Sequence, residues 1–233
     1  MSLNMEDGRS PNGLKIFEKN PILTKSGFKV LYQEIFEPSS SELYVAPLSD
    51  LNKKTPVVLP DTGNINYFSF GKDENEFVVC LYNRKNSQMN GYYDIWVINK
   101  EKHDLDSQRK LETYGYKINS IDIAPNKKFL IFSQNLHSSD TNMQNDLYYI
   151  NLNNTELKRI SPNDNIEDIN PVISPDSSKV AYMSSTDSRL YNLYVMDING
   201  ENRKQLTEIY ITDKPFWLNN YEIVVVDSFS NII

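Results

Sequence analysis

Two histidines, one cysteine and one acidic loop are the residues of this 233-residue chain whose types could do chemistry. His103 and His137 are its only imidazoles, and together they could hold a metal or relay a proton if the fold let them meet. Cys80 stands alone, which excludes an intrachain disulfide, and its setting Phe77-Val78-Val79-Cys80-Leu81 reads as a buried, inert thiol. Asp164, Glu167 and Asp168 cluster in the loop 161–169 and could hold a calcium ion through oxygen, although their spacing is not that of an EF-hand. A solvated acidic loop is the simpler reading, and no cofactor is expected. None of the 8 glycines lies in a Gly-x-Ser-x-Gly elbow, so the sequence carries no serine-hydrolase nucleophile of that type.

The elements that would position these residues follow from a repeat. Asn20-Pro21-Ile22-Leu23-Thr24, Phe28-Lys29-Val30-Leu31-Tyr32 and Glu42-Leu43-Tyr44-Val45 return 150 residues later. They come back as Asn170-Pro171-Val172-Ile173-Ser174, Ser178-Lys179-Val180-Ala181-Tyr182 and Asn192-Leu193-Tyr194-Val195. A repeat of roughly 40 to 50 residues built from short strands predicts an all-β fold, a β-propeller of four-stranded antiparallel blades. Within each unit we expect strands A to D. Strand A covers 21–24, 67–70, 121–124, 171–174 and 215–218, and strand B covers 28–32, 77–82, 129–133, 179–183 and 222–226. Both are β-branched and aromatic with little polar alternation, as in strands buried on two faces. Strand C covers 42–45, 94–97, 146–149 and 192–195, and its period of two places Tyr44, Trp96, Tyr148 and Tyr194 on one face, each ring filling the wedge against a neighbouring blade. Strand D (56–59, 109–111, 158–161, 203–207) is short and polar, as an outer strand facing water should be. No segment keeps a 3.6-residue apolar period, so almost no helix is expected.

The units run at about 20–60, 64–113, 118–161, 169–207 and 213–233, so four are complete and the fifth is partial. Residues 20–233 form the propeller domain, and 1–19 an N-terminal segment in which Leu14-Lys15-Ile16-Phe17 could supply an outer closing strand. That gives a five-bladed closed ring. The alternative is a fragment of a six-bladed or larger propeller.

This frame decides the fate of the histidines. His103 falls in a C–D connection and His137 in a B–C connection, which open on opposite ends of a blade, some 15 to 20 Å apart for strands of about five residues. They cannot share a proton or a metal. What remains is a binding surface at the end formed by the B–C loops (33–41, 83–92, 134–145, 184–191) and the D–A connections. There the sequence displays Arg84, Met89, Tyr92, His137, Met143, Arg189 and Tyr191, joined by Tyr114, Tyr116 and Tyr210. Tyr, Arg and Met are enriched where proteins meet proteins. A net charge of −7 without a Lys/Arg stripe argues against nucleic acid. No apolar run approaches the length of a membrane span, and the first ten residues lack the apolar core of a signal peptide. The expected partners are proteins, and the expected state is a monomer.

The run Asn170-Pro171-Val172-Ile173-Ser174-Pro175-Asp176, Lys179-Val180-Ala181-Tyr182, Asn192-Leu193-Tyr194-Val195-Met196-Asp197, Asn199-Gly200 and Arg203-Lys204-Gln205-Leu206-Thr207 resembles the TolB-type WD-like β-propeller repeat. Gly91-Tyr92-Tyr93-Asp94-Ile95-Trp96-Val97 is similar to the same repeat, and the resemblance covers residues 20–233. It departs from the pattern at Lys25-Ser26-Gly27 and at Lys72-Asp73-Glu74-Asn75, where Pro-Asp is missing. The resemblance implies a non-enzymatic, protein-binding scaffold of the bacterial cell envelope, periplasmic in location, with the cytoplasm as the alternative. The same repeat also implies a second reading, the propeller portion of a prolyl-oligopeptidase-like serine peptidase or a polysaccharide lyase.

Overall fold

The computed structural model describes residues 15–24, 26–36, 40–60, 63–71, 73–83, 92–99, 108–111, 113, 117–135, 144–162, 166–186 and 190–233. Among them there is no α-helix, only a single 3-10 turn, Leu51–Lys53. The strands form four four-stranded sheets and one two-stranded sheet, each ordered as in the sequence. The first holds β1 (Lys15–Leu23), β2 (Lys29–Phe36), β3 (Ser40–Pro47) and β4 (Thr55–Pro56). The second holds β5 (Asn64–Phe70), β6 (Glu76–Asn83), β7 (Tyr92–Asn99) and β8 (Gln108–Leu111). The third holds β9 (Ile118–Ile123), β10 (Phe129–Gln134), β11 (Asp146–Asn151) and β12 (Leu157–Arg159). The fourth holds β13 (Glu167–Ile173), β14 (Lys179–Ser185), β15 (Asn192–Asp197) and β16 (Lys204–Gln205). The fifth pairs β17 (Phe216–Trp217) with β18 (Ile223–Val224), and a bridge from Val226 to Ile232 adds the start of a third strand.

The expected strands are therefore present, and their repeated phrases have structural meaning. Asn20-Pro21 and Asn170-Pro171 both fall where the A–B register slips, between Lys19 and Ile22 and between Ile169 and Val172. Proline has no N–H to give the ladder, so a bulge there costs no hydrogen bond. The A–B turn is also repeated. Gly27, Lys127 and Ser177 take the left-handed conformation with φ of 74°, 59° and 62°, and their N–H groups donate to Thr24, Ala124 and Ser174 at 2.9, 2.8 and 2.8 Å.

One expectation changes. Lys15–Phe17 does not act as an outer strand. Lys15 and Phe17 pair with Phe36 and Ile35, so the segment is the leading half of β1, next to β2. The pairing is possible because β2 and β3 run on to Phe36 and Ser40, which also shortens the first B–C loop to three residues. The expected A strands 67–70, 121–124 and 171–174 are mostly buried, as is β10 throughout, while the leading residues 64–67 of β5 are exposed or half-buried.

The chain divides into two compact units, residues 1–83 with 95–110, and residues 84–94 with 111–233. In the first, Leu31, Leu43, Val45 and Val57 of the first sheet pack with Phe68, Phe70, Phe77, Val79, Leu81, Ile98 and Trp96 of the second. In the second unit, Phe129, Ile131, Leu147 and Tyr149 of the third sheet meet Ile173, Val180, Tyr182, Met196 and Tyr194 of the fourth. The fourth sheet's other face, Ala181, Met183 and Leu193, meets Ile211, Trp217 and Val225. Trp96 and Tyr194 thus point at the sheet before their own, as the alternation of strand C requires. Each C-strand tyrosine also faces a ring directly across its own sheet, Tyr44 on Tyr32, Tyr148 on Phe132 and Tyr194 on Tyr182, with centroids 6.2, 5.6 and 5.9 Å apart. Cys80 is fully buried in β6.

Candidate functional site

At one end of the second unit, three loop segments lie side by side. Tyr191, just before β15, bridges to Ile211, and Ile211 bridges to Asp227. The Ile211 N–H donates to the Tyr191 carbonyl at 2.8 Å and the Ser228 N–H to the Tyr210 carbonyl at 2.9 Å. Alternation along this ladder turns Ile211 into the apolar core beside Trp217 and Met183. The same alternation leaves Leu190 and Tyr210 exposed, with Ile209 beside Tyr210, and Phe229, in the turn that follows Asp227, is exposed as well. Asp227 shapes the third segment. Its carboxylate accepts from the N–H groups of Phe229 and Asn231 at 2.8 Å each and from Asn231 Nδ2 at 2.9 Å. These bonds, first those of Asn231, hold the carboxyl below its ordinary value.

A buried polar layer supports the ladder. The Tyr191 hydroxyl donates to Glu167 Oε2 at 2.5 Å, while Asn145 Nδ2 donates to Glu167 Oε1 at 2.6 Å and Asn119 Nδ2 donates to Asn145 Oδ1. Burial and then the Glu167 bond push the Tyr191 phenol well above its usual range. Next door, Asp168 has no exposed surface and its N–H donates to the Asn145 carbonyl at 2.8 Å. Arg203 Nη2 stands 3.5 Å from Asp168 Oδ1 and donates to Ser184 Oγ at 2.8 Å. The guanidinium lies 4.7 Å from the Tyr194 ring centroid and 5.9 Å from that of Tyr182. Burial, then the Asp168 charge, raise the Tyr182 phenol.

The chemistry this permits is limited. Both Glu167 oxygens accept hydrogen bonds within the protein, and Asp168 faces a guanidinium. Neither carboxylate is arranged as a general acid or base, which would need a reachable proton on a substrate. Among the described residues, no group of three or more His, Cys, Asp or Glu is placed to hold a metal. The arrangement is a fixed platform carrying apolar side chains.

Of the residues chosen from sequence, the structure brings Tyr191 and Tyr210 together on this ladder. Tyr92, half-buried, opens β7. Arg84, Met89, Tyr114, Tyr116, His137, Met143 and Arg189 lie outside the described residues, as do His103 and Asp164. Sequence reasoning passed over Leu190, Ile209 and Phe229. The signal was present, since each is a large apolar residue in a loop segment between strands, where nothing demands one.

No protein-family model matches the chain, and neither does the sequence of any curated protein. Solved structures do match. TolB from Acinetobacter baumannii is 19% identical with a TM-score of 0.63, over 89% of this chain and 48% of that one. An acylaminoacyl peptidase from Pyrococcus horikoshii is 13% identical with a TM-score of 0.61, over 89% of this chain and 35% of that one. An oligogalacturonate lyase in complex with manganese is 11% identical with a TM-score of 0.65, over 94% of this chain and 63% of that one. The fold is a TolB-type β-propeller. This chain spans about half the length of the Acinetobacter TolB and less than two thirds of the other two proteins.

Proposed function

We propose that the chain is a non-enzymatic protein-interaction propeller of the bacterial cell envelope, which binds its partner on the ladder of Tyr191, Ile211 and Asp227. The observation that carries this reading is a set of exposed apolar side chains, Leu190, Tyr210 and Phe229, on three segments joined by backbone hydrogen bonds, with the Tyr191 hydroxyl anchored on Glu167. Apolar side chains carried on hydrogen-bonded segments lose little entropy on binding, and aromatic anchors carry much of the affinity of protein interfaces. The likeness to TolB supports the location, and no helix among the described residues is long and apolar enough to cross a membrane.

The test is capture from a cell-envelope extract by the immobilised protein, compared with a Leu190→Ala, Tyr210→Ala, Phe229→Ala variant. We expect a discrete protein to be retained by the parent, and its recovery to drop about tenfold or more in the variant. Equal retention by the two would refute the site. The second reading, the propeller portion of a larger peptidase or lyase, is favoured by the matches to such enzymes. A hydrolase or lyase domain in the same reading frame would establish it.

A further inference from the structure

The apolar side chains of the ladder sit in an acidic setting. The connection that supplies Ile209, Tyr210 and Ile211 is flanked by Glu208 and Asp213, both exposed. The third segment adds the carboxylate of Asp227, whose ionised form is favoured by the Asn231 side chain and by the N–H groups of Asn231 and Phe229.

The cations nearby already have carboxylates. Arg203 stands against Asp168 in the buried layer and donates to Ser184. Lys214 has Asp122 of β9 within range. Burial raises the Asp122 carboxyl above its ordinary value, and the Lys214 charge is the first of the groups that oppose the rise. Lys204 is exposed, but it pairs with Val195, well inside β15 and away from Tyr191. The acidic balance around the ladder agrees in sign with the net charge of −7 on the whole chain.

We infer that the partner held on this ladder is a protein segment that is both apolar and basic, with aliphatic or aromatic side chains set among lysines or arginines. This assignment rests on the ladder being the binding surface proposed above. Leu190, Ile209, Tyr210 and Phe229 take the apolar side chains of that segment, and Glu208 and Asp213 take its cations. Apolar surface removed from water supplies the affinity. Opposite charges around it speed the encounter and turn acidic partners away. The same acids disfavour an anionic lipid surface, which attracts basic protein segments.

The test uses the 233-residue chain and two short fluorescent peptides of equal leucine and phenylalanine content, one with lysine at every polar position and one with glutamate. By anisotropy at low salt, the lysine peptide is expected to bind and the glutamate peptide is not. Glu208→Gln with Asp213→Asn should weaken the lysine peptide about five- to tenfold at low salt and less than about twofold at high salt, where exposed charges are screened. Glu156→Gln with Glu201→Gln removes the same charge from exposed C–D turns of the third and fourth sheets. That pair should change binding less than about twofold, which separates local pairing from attraction to an acidic chain as a whole. Equal binding of the two peptides, equal losses in the two pairs of variants, or no binding of the lysine peptide overturns the basic partner. The Leu190→Ala, Tyr210→Ala, Phe229→Ala variant tells which reading has failed. If it abolishes binding of both peptides, the ladder stands and only the charge assignment falls, whereas a lysine peptide bound as tightly as by the parent removes the ladder itself. Sedimentation of the parent with vesicles of phosphatidylcholine and phosphatidylglycerol, lost in that variant, would give the surface to a membrane and overturn the assignment too.

Discussion

The first and fourth sheets are built from phrases 150 residues apart, yet they complete the same turn by different means. In the fourth sheet Asp176 serves its own A–B turn, accepting from Ser174 Oγ at 2.6 Å and from Ser178 N and Oγ at 3.0 and 2.8 Å. The first sheet has Ser26 at that place, and its carboxylate comes from the second sheet. Ser26 Oγ donates to Glu74, whose other oxygen lies 3.1 Å from Lys29 Nζ. Both carboxyls are held below their ordinary values, in each case first by a serine hydroxyl. The backbone of the turn is the same in the two sheets, Thr24 N to Lys29 O and Ser174 N to Lys179 O, both 2.9 Å. The chain geometry is thus maintained by main-chain bonds, and the carboxylate that finishes it can come from anywhere in reach.

The outer strands differ in a parallel way. Lys54 and Arg203 are equivalent cations just before β4 and just before β16, each over the C-strand tyrosine, 4.3 Å from Tyr44 and 4.7 Å from Tyr194. Lys54 reaches the fully buried Glu34, with both oxygens at 2.6 Å. Arg203 instead spreads across two rings, Ser184 and Asp168. A compact ammonium is matched by one carboxylate, whereas a planar guanidinium can stack and donate at the same time.

The comparison can be broken at four points. Lys54→Met takes the ammonium from a carboxylate with no exposed surface and should cost about 2–3 kcal/mol in denaturant unfolding, at the low end for a buried pair because the lysine is itself a third exposed. Adding Glu34→Leu should recover most of that loss; if it does not, the pair matters beyond its charges. Arg203→Lys keeps the charge but gives up stacking, so we expect about 1–2 kcal/mol. A loss as large as that of Lys54→Met would show the two staples to be alike. Gly27→Ala has space for its methyl group but forces a side chain to φ of 74°, for about 1 kcal/mol. Gly27→Asn should cost less, since Ser177 and Lys127 already hold that conformation.

The smallest effect is in pH. A depressed carboxyl stabilises the fold above its ordinary pKa and loses that contribution as pH falls through the folded-state value. The Tm difference between parent and Asp176→Asn should therefore be constant at neutral pH and shrink as pH drops below the ordinary 3.8. In Glu74→Gln the same shrinkage should begin below 4.5. A difference that grows on acidification would show that neither carboxylate supports its turn.

Much of the fold was legible because its signals are local. The strand C pattern placed Trp96 and Tyr194 on one face, since a period of two needs only neighbours in sequence, and in the structure that face meets the preceding sheet. The site was less legible. Tyr191 and Tyr210 were chosen as loop aromatics, but Leu190 and Phe229 join them only because Ile211 pairs on both sides, to residues 20 before and 16 after it. Lys15–Phe17 reads like an outer strand by composition, and only its pairing with Ile35 and Phe36 shows otherwise.

By itself the order of residues determined the repeat, the strands, the turn positions and which side chains share a face, because all of these follow from the period and stereochemistry of a short stretch. The tertiary structure decided which carboxylate completes each turn and which cation covers each ring. Those choices depend on groups brought together from positions such as Ser26 and Glu74, 48 residues apart, and no local pattern encodes that distance.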